Sequence, residues 1–206
     1  MQLDSKQPTK RNGRVSGFSI LELVVVLAII MIITAVSLPY FFRAYGLYRL
    51  NDSATQVAGI LKFTRYEAIR KNAPVSAQIR QVTSPRAMTN IWTDSDGDLV
   101  EQNTERQIIL DDNIVLDASN VPPNTAALAT AVGVTTLTAV SFSSSSGAVT
   151  FDQRGAVSPA AVDVLYIGNA NGRLVFGYRA VVLFPSGSVQ IWTADATASA
   201  GWTQVN

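Results

Sequence analysis

The sequence predicts an α+β fold in which one long N-terminal helix packs on an antiparallel β-sheet. Residues 18–72 carry helical patterns, first an apolar run of membrane-spanning length and then an amphipathic stripe. From Val75 onward, short runs rich in β-branched and aromatic residues alternate with turn residues. Because the strands follow a single helix instead of alternating with helices, we expect an α+β arrangement rather than a parallel α/β sheet.

The apolar run, residues 18–38, is long enough to cross a membrane. It holds 21 residues with Glu22 as its single charge. At a rise of about 1.5 Å per residue it spans roughly 30 Å, the thickness of one hydrocarbon core. Apolar residues surround this helix on all sides, whereas a soluble amphipathic helix carries a polar face. We therefore predict a transmembrane helix.

Residues 1–17 form a basic flank in front of this helix. One acidic side chain, Asp4, stands against four cationic ones, which are Lys6, Lys10, Arg11 and Arg14. Positive charge in this place holds an N-terminus on the cytoplasmic side, so we expect residues 73–206 to be extracytoplasmic. The apolar run ends without the Ala-x-Ala pattern of a secretory cleavage site, and we expect the helix to be retained.

Glu22 needs a partner. A carboxylate in hydrocarbon is costly unless it is paired or protonated. One alternative is a single-pass anchor whose glutamate lies near the cytoplasmic end and reaches the membrane interface. The other is a functional charge that pairs with a cation of a neighbouring molecule.

The segment Gly17–Glu22, which reads GFSILE, is followed by the apolar run and by Pro39. It resembles the class III signal of type IV pilins and type II secretion pseudopilins. The resemblance implies that a prepilin peptidase cuts between Gly17 and Phe18, methylates the new amine of Phe18, and leaves the helix as membrane anchor and filament core. The 17-residue leader is longer than is usual in this family.

The resemblance also gives Glu22 a role, because it becomes the fifth residue of the mature chain. The ammonium of Phe18 in one subunit and the carboxylate of Glu22 in a neighbour are then two charges in an otherwise apolar bundle. Their pairing offsets the cost of desolvation and fixes the axial stagger of the helices. We therefore expect Glu22 to set the filament register.

Residues 39–72 are predicted to continue the helix in amphipathic form after a kink or loosening at Pro39. We expect the helix to end near Asn72, because Pro74 disfavours helical geometry in the residue before it. Apolar residues recur at intervals of three, four or seven, at Leu47, Leu50, Ala54, Val57, Leu61 and Ala68.

The end of this helix is similar to the corresponding segment of the GspH and FimT group of the same family. Thr64 replaces an alanine of the group's pattern, whereas Arg65, Glu67 and Ala68 keep it. From the residues alone we expect Arg65 and Glu67 to belong to an exposed polar face of the helix. The segments 149–157 and 181–192 are similar to a strand-turn and to the terminal hairpin of the group.

Residues 73–206 are predicted to form one β-rich domain. Residues 118–138 look like a variable surface excursion, with room for a short helix, and Trp202 is expected to pack back on the domain. The candidate strands are Val75–Arg80, Met88–Thr93, Gln107–Leu110, Ile114–Asp117, Val140–Ser143, Ala148–Asp152, Val162–Ile167, Leu174–Phe184 and Val189–Thr193.

The composition argues against an enzyme and against a cofactor. The chain has no His, which removes the commonest general base and the usual zinc ligand, and no Cys, so disulfides cannot stabilise the domain. Its formal charge is +1, but loss of residues 1–17 leaves 12 basic and 14 acidic side chains, a charge of −2.

An acidic cluster follows the second predicted strand. Asp94, Asp96, Asp98 and Glu105 occupy positions one, three, five and twelve of a calcium-loop spacing. Leu99 stands where that loop requires glycine, and the flanking sequence favours strands over helices. We therefore favour an Asp-Gly hairpin turn over a calcium site, and no metal is predicted.

Nucleic-acid binding is not expected. Some FimT-like proteins contact DNA through a Gly-Arg-x-Arg pattern in the last hairpin, but residues 187–190 read Gly-Ser-Val-Gln here. Both arginines that would bind phosphates are missing. Arg173 and Arg179, on the preceding predicted strand, are expected to be solvated or paired.

The resemblance implies a minor pilin or minor pseudopilin, held in the inner membrane before it enters a type II secretion pseudopilus or a type IV pilus. The implied partners are the prepilin peptidase and other pilins or pseudopilins. Two alternatives stay open: a FimT-like minor pilin that binds DNA for natural transformation, and a signal-anchored surface protein that never joins a filament.

Overall fold

The structure is a computed structural model. It divides into two compact units, Met1–Phe41 and Phe42–Asn206, and the described residues that are buried all lie in the second unit. The residues it describes are 17–82, 88–111, 113–116, 125–140, 146–170, 176–195 and 201–205.

The predicted α+β architecture is confirmed, with one long helix followed by strands and a second, short helix. In chain order the elements are α1 (Ile20–Lys71), β1 (Val75–Val82), β2 (Met88–Asp94), β3 (Gln107–Ile109), β4 (Ile114–Leu116), α2 (Thr125–Val132), β5 (Thr138–Ala139), β6 (Ser146–Phe151), β7 (Val157–Ser158), β8 (Asp163–Asn169), β9 (Tyr178–Leu183), β10 (Val189–Ala194) and β11 (Thr203–Val205).

Helix α1 is 52 residues long and is not interrupted at Pro39. The predicted membrane half and amphipathic half are therefore one helix. It ends as predicted beside Pro74. Asn72 adopts a left-handed φ of 51°, and the N–H of Ala73 bonds the carbonyl of Ala68 at 3.2 Å. This is the Schellman arrangement, which satisfies the last carbonyls of a helix.

The strands form two sheets rather than the one expected. The first has the order β3-β2-β1-β6-β7 and is antiparallel throughout. The second has the order β11-β10-β9-β8-β4, and β5 pairs with β8 in parallel. Alternation along a strand indicates which face is buried but not which strand is its neighbour, and the sequence therefore left the number of sheets undetermined.

The main hydrophobic core lies between α1 and the inner faces of both sheets. The predicted stripe on α1 is confirmed, with Leu47 at its partly buried margin. Leu50, Ala54, Val57, Leu61 and Ala68 are fully buried. They belong to one cluster with residues from the two sheets, among them Ala77, Ile79, Phe151, Leu165, Ile167, Val181 and Leu183.

A second, smaller core covers the other face of the second sheet. Strands β8 and β9 are buried on both faces and therefore carry nearly continuous apolar runs. Leu128 of α2 is fully buried here, so the excursion predicted on the surface contributes to a core. Trp202 packs back as predicted, with its ring centroid 6.1 Å from that of Tyr166.

Several strand limits differ from the prediction. Strand β5 covers Thr138–Ala139, whereas the predicted strand began at Val140 and falls partly on residues 141–145, outside the described residues. Strand β9 begins at Tyr178. The predicted start, Leu174, lies outside the described residues, and the described residues 176 and 177 are not in the strand. Strands β7 and β11 were missed, because two or three residues are too few to show a period of two.

The expectation that Arg65 and Glu67 lie on an exposed polar face was wrong. Glu67 is 9% exposed, and its carboxylate accepts a hydrogen bond from Nε of Arg70 at 2.9 Å. This bond from Arg70 is the main reason why the pKa of Glu67 lies below its ordinary value. Nε of Arg65 donates to the carbonyl of Gly155 at 3.0 Å, so turns of the β-domain cover this end of α1.

Two glycine turns, one from each sheet, meet on Arg65. Gly155 lies between β6 and β7 and Gly187 between β9 and β10, and each has a φ of 77°. The N–H of Val157 bonds the carbonyl of Pro185 at 2.9 Å, which joins the two turns directly. A Cβ atom on Gly187 would lie 2.1 Å from the carbonyl oxygen of Gly155. Only glycine therefore fits this junction.

We predict that Gly187→Ala destabilises the protein lacking residues 1–41 by about 3 kcal/mol or more, because a strained φ is added to a backbone overlap. Gly97→Ala is the matched control. Gly97 has a φ of 80° but open space around it, so about 1 kcal/mol is expected from conformation alone. Urea unfolding measures the free energy of unfolding of both variants. Equal decreases for Gly187→Ala and Gly97→Ala would contradict the close packing of the two turns.

Burial of Tyr166 is expected to lower the stability of the fold at alkaline pH. Burial raises the pKa of its phenol from 10.0 to about 12. Because this folded-state pKa lies above the unfolded one, the stabilising contribution is complete below pH 10 and is lost as the pH rises through about 12. Melting temperatures between pH 9 and 12 should fall less steeply for Tyr166→Phe than for the unmodified chain. The exposed Tyr66 supplies the control, and Tyr66→Phe should follow the unmodified chain.

Candidate functional site

The predicted processing site lies immediately in front of α1. Gly17, Phe18 and Ser19 are exposed and non-helical, and α1 begins at Ile20. The carbonyl of Ser19 accepts the N–H of Leu23 at 3.1 Å, which closes the first helical turn. The predicted scissile bond, between Gly17 and Phe18, is thus in exposed backbone outside the helix, where a peptidase has access to it.

Glu22 lies in the first turn of α1 and is exposed. A carboxylate here is favoured by the positive end of the helix dipole. The spacing from Ser19 to Glu22 is that of a capping box. This local role at the start of the helix was not predicted from the sequence, where Glu22 was interpreted only as a filament residue. Within the described part of the chain Glu22 has no salt bridge.

The first half of α1 presents an apolar surface. Every described residue from Gly17 to Tyr45 is exposed, including Phe18 at 78% and Ile20 at 84%. Within the described residues, α1 is the one helix long and apolar enough to cross a membrane, by length and composition. Such a surface is far too apolar to be left in water. Lipid or other helices must cover it.

The acidic cluster closes a loop between β2 and β3. The two strands are antiparallel neighbours, as predicted, but the connection is a long loop, residues 95–106, and not a tight Asp-Gly turn. Asp94 is 2% exposed at the end of β2. Its carboxylate accepts the N–H of Gly97 at 2.8 Å and that of Leu99 at 3.3 Å. Asp94 therefore anchors the loop from within.

The structure brings three of the four acidic candidates together. Oxygens of Asp94, Asp96 and Asp98 lie within 4.8 Å of one another. The amide nitrogen of Gln102 donates to Asp96 at 2.9 Å and to Asp98 at 2.8 Å. The pKa of Asp98 is lowered, first by the N–H of Val100 and then by Gln102. Hydrogen-bond donors of the loop itself thus bind these carboxylates, as is typical of a structural loop.

Glu105, the fourth candidate, bonds the backbone of the same loop. Its carboxylate accepts the N–H of Ser95 at 2.7 Å, and Glu105 is 8% exposed. Lys71, at the end of α1, donates to the carbonyl of Ser95. The loop is therefore tied both to its own far end and to the helix.

The last hairpin carries no cationic pair at residues 187–190, the positions compared above with the Gly-Arg-x-Arg pattern of some FimT-like proteins. Ser188 lies in the turn, where its hydroxyl is 3.1 Å from that of Ser186. Gln190 lies on β10 and accepts a hydrogen bond from Nε1 of Trp192 at 3.2 Å. These side chains are engaged within the hairpin, and neither supplies a positive charge for a phosphate.

Comparison with known families gives two matches, one to the β-rich domain with the second half of α1 and one to the N-terminal segment. The model of the type II transport protein GspH matches residues 53–187. The prokaryotic N-terminal methylation motif matches residues 12–38, which include the predicted cleavage site and the apolar run.

Among solved structures, the chain is similar to the type IV minor pilin FimU of Pseudomonas aeruginosa in two crystal forms. The identity is 16% in both, with 69% of this chain covered. The P21 form is covered over 87% of its length with a TM-score of 0.42, and the P65 form over 91% with a TM-score of 0.43. No curated protein sequence matches the chain.

The GspH model covers well over half of the chain and includes α1 from Ser53 onward, strands β1 to β9 and the Arg65 junction. The methylation motif covers the N-terminal segment that precedes it. The chain therefore belongs to the GspH family of pilins and pseudopilins.

Proposed function

We propose that this protein is a minor pilin or minor pseudopilin whose helix α1 is first its membrane anchor and then its contact with neighbouring filament subunits. The observation that carries the proposal is the uncovered apolar surface of residues 18–38, with one carboxylate in its first turn. A plain anchor explains the apolar surface and accommodates Glu22 at the start of the helix, but it gives this carboxylate no opposite charge as a partner. A filament core uses both.

The first step is processing by a prepilin peptidase. Hydrolysis of the peptide bond between Gly17 and Phe18 frees the amine of Phe18, which is then methylated. The cut also removes the basic flank and changes the formal charge from +1 to −2. Because cationic side chains hold the N-terminus on the cytoplasmic side, their loss makes it easier to draw the helix out of the inner membrane.

The second step is pairing of charges in the filament core. The new ammonium of Phe18 adds positive charge at the end of α1, where the helix dipole is already positive. Glu22 in the same first turn offsets part of this charge within its own helix. Across subunits, an ammonium and the carboxylate of Glu22 are partners in an apolar medium, and their contact fixes the axial stagger. The filament is a type II secretion pseudopilus or a type IV pilus, since both use this helix.

The mature N-terminus tests the processing step. In cells that contain a prepilin peptidase, mass spectrometry should find a chain that begins at methylated Phe18. Deletion of the peptidase should leave Met1 or residue 2 at the N-terminus. A chain that keeps residues 1–17 in both strains would support a signal-anchored surface protein and overturn the proposal.

Glu22 tests the assembly step. Glu22→Ala and Glu22→Gln should be cleaved and inserted in the membrane like the unmodified chain but should be lost from sheared filaments, because neither supplies a negative charge. Glu22→Asp keeps the charge and is the matched control, with partial incorporation expected. Immunoblots of sheared filaments and of membranes measure both fractions. Normal incorporation of Glu22→Gln would remove the argument for a charge-fixed register.

A further inference from the structure

Arg179 is a cation that is buried beside neutral hydrogen-bond acceptors. It lies on β9 and is 6% exposed. Its Nε donates to the side-chain oxygen of Asn51 at 2.6 Å, and one of its terminal nitrogens donates to the carbonyl of Tyr178 at 2.8 Å. Among the described residues, no carboxylate lies within 4.0 Å of it. The sequence-based expectation that Arg179 is solvated or paired was therefore wrong.

This arrangement leaves the guanidinium incompletely compensated. Burial of a charge is costly unless an opposite charge and hydrogen bonds replace water. Asn51 and the carbonyl of Tyr178 are neutral acceptors. Burial lowers the pKa of Arg179, and Asp195, at longer range, offsets only part of this effect. The other terminal nitrogen of the guanidinium makes no hydrogen bond to a described residue.

A groove opens beside Arg179, because the second sheet extends past α1. Across one row of the sheet, Val181 is fully buried, Ile191 is half-buried and Val205 is 46% exposed. The exposed face of α1 forms the opposite wall. The groove has a volume of about 300 Å³. Its lining consists of Asn51, Thr55, Arg179, Ile191, Thr193 and Val205.

The chemistry of the groove selects a carboxylate. A guanidinium presents paired N–H donors that match a carboxylate in two-point geometry. Thr193 adds a hydroxyl group, whereas the hydroxyl of Thr55 already donates to the carbonyl of Asn51 at 3.1 Å. Ile191 and Val205 form an apolar wall that suits the methylene carbons of an acidic side chain. The phosphate backbone of a nucleic acid requires several accessible cations, and this groove offers one, deeply recessed.

We infer that this groove is a carboxylate-binding subsite, which receives an acidic side chain from a neighbouring subunit packed along α1. The choice of a neighbouring subunit rests on the proposed function, because α1 forms one wall of the groove and is the element through which subunits meet. The carboxylate completes the coordination of Arg179 and makes the partner's contact specific. Asn51 holds the guanidinium in place for it.

A carboxylate supplied from within the chain tests the subsite without a partner. Thr55→Glu places one on the α1 wall of the groove. In the full chain in detergent, we expect Thr55→Glu to raise the melting temperature by about 5 °C over Thr55→Gln, the uncharged control of equal size. The gain should vanish when Arg179→Met is added. Equal melting temperatures for Thr55→Glu and Thr55→Gln would overturn the subsite.

Added anions then distinguish the class of ligand. At constant ionic strength, sodium acetate should stabilise the unmodified chain relative to sodium chloride but leave Thr55→Glu unchanged, because its groove is already filled. Duplex DNA should give no shift. Stabilisation by duplex DNA but not by acetate would overturn the assignment to a carboxylate in favour of a nucleic acid.

The partner is identified in assembled filaments. The chain has no native cysteine, so Thr193→Cys labelled with a short photocrosslinker reports the groove alone. We expect crosslinks to a peptide of another subunit that contains Asp or Glu. Crosslinks confined to peptides without an acid would overturn the inference. Failure of the filament proposal itself is distinguishable, because it appears as an uncleaved N-terminus while the detergent experiments still show the stabilised Thr55→Glu chain.

Discussion

The fold depends on the packing of one stripe of α1 against two sheets. Residues from Leu50 to Ala68 fill the space between the sheets and belong to the main core. At the C-terminal end of the stripe, Arg65 joins the glycine turns of both sheets. The helix is thus the common surface on which two sheets that share no strand pairing, among the described strands, become one domain.

The same helix is used in two different environments. The apolar stripe of its second half is buried against the β-sheets of the same chain. Its first half is apolar on all sides and is covered by none of the described residues. An apolar helix surface gains little by leaving lipid for a bundle of similar helices. Polar groups at defined positions therefore decide how such helices align, and Glu22 is the charged group available in residues 18–38.

Local sequence predicted the elements that depend on near neighbours. The apolar run, the stripe on α1 and the end of the helix at Asn72 follow from composition, periodicity and Pro74. The sites that depend on distant residues could not be predicted. Arg65 contacts a carbonyl 90 residues away, and Arg179 an amide 128 residues away. Charged side chains usually lie in water, and only the sheet topology shows that Arg65 is partly buried and Arg179 buried.

We propose that the filament depends on a pairing between Glu22 and an N-terminal ammonium of a neighbouring subunit. Solid-state NMR of filaments tests it, with the glutamates of this subunit labelled with ¹³C and the neighbours with ¹⁵N. We expect a contact of about 4 Å or less between the Glu22 carboxylate and an α-ammonium nitrogen. A filament in which Glu22 has no ammonium nitrogen within about 6 Å would contradict the account, since no charge pair would then fix the register.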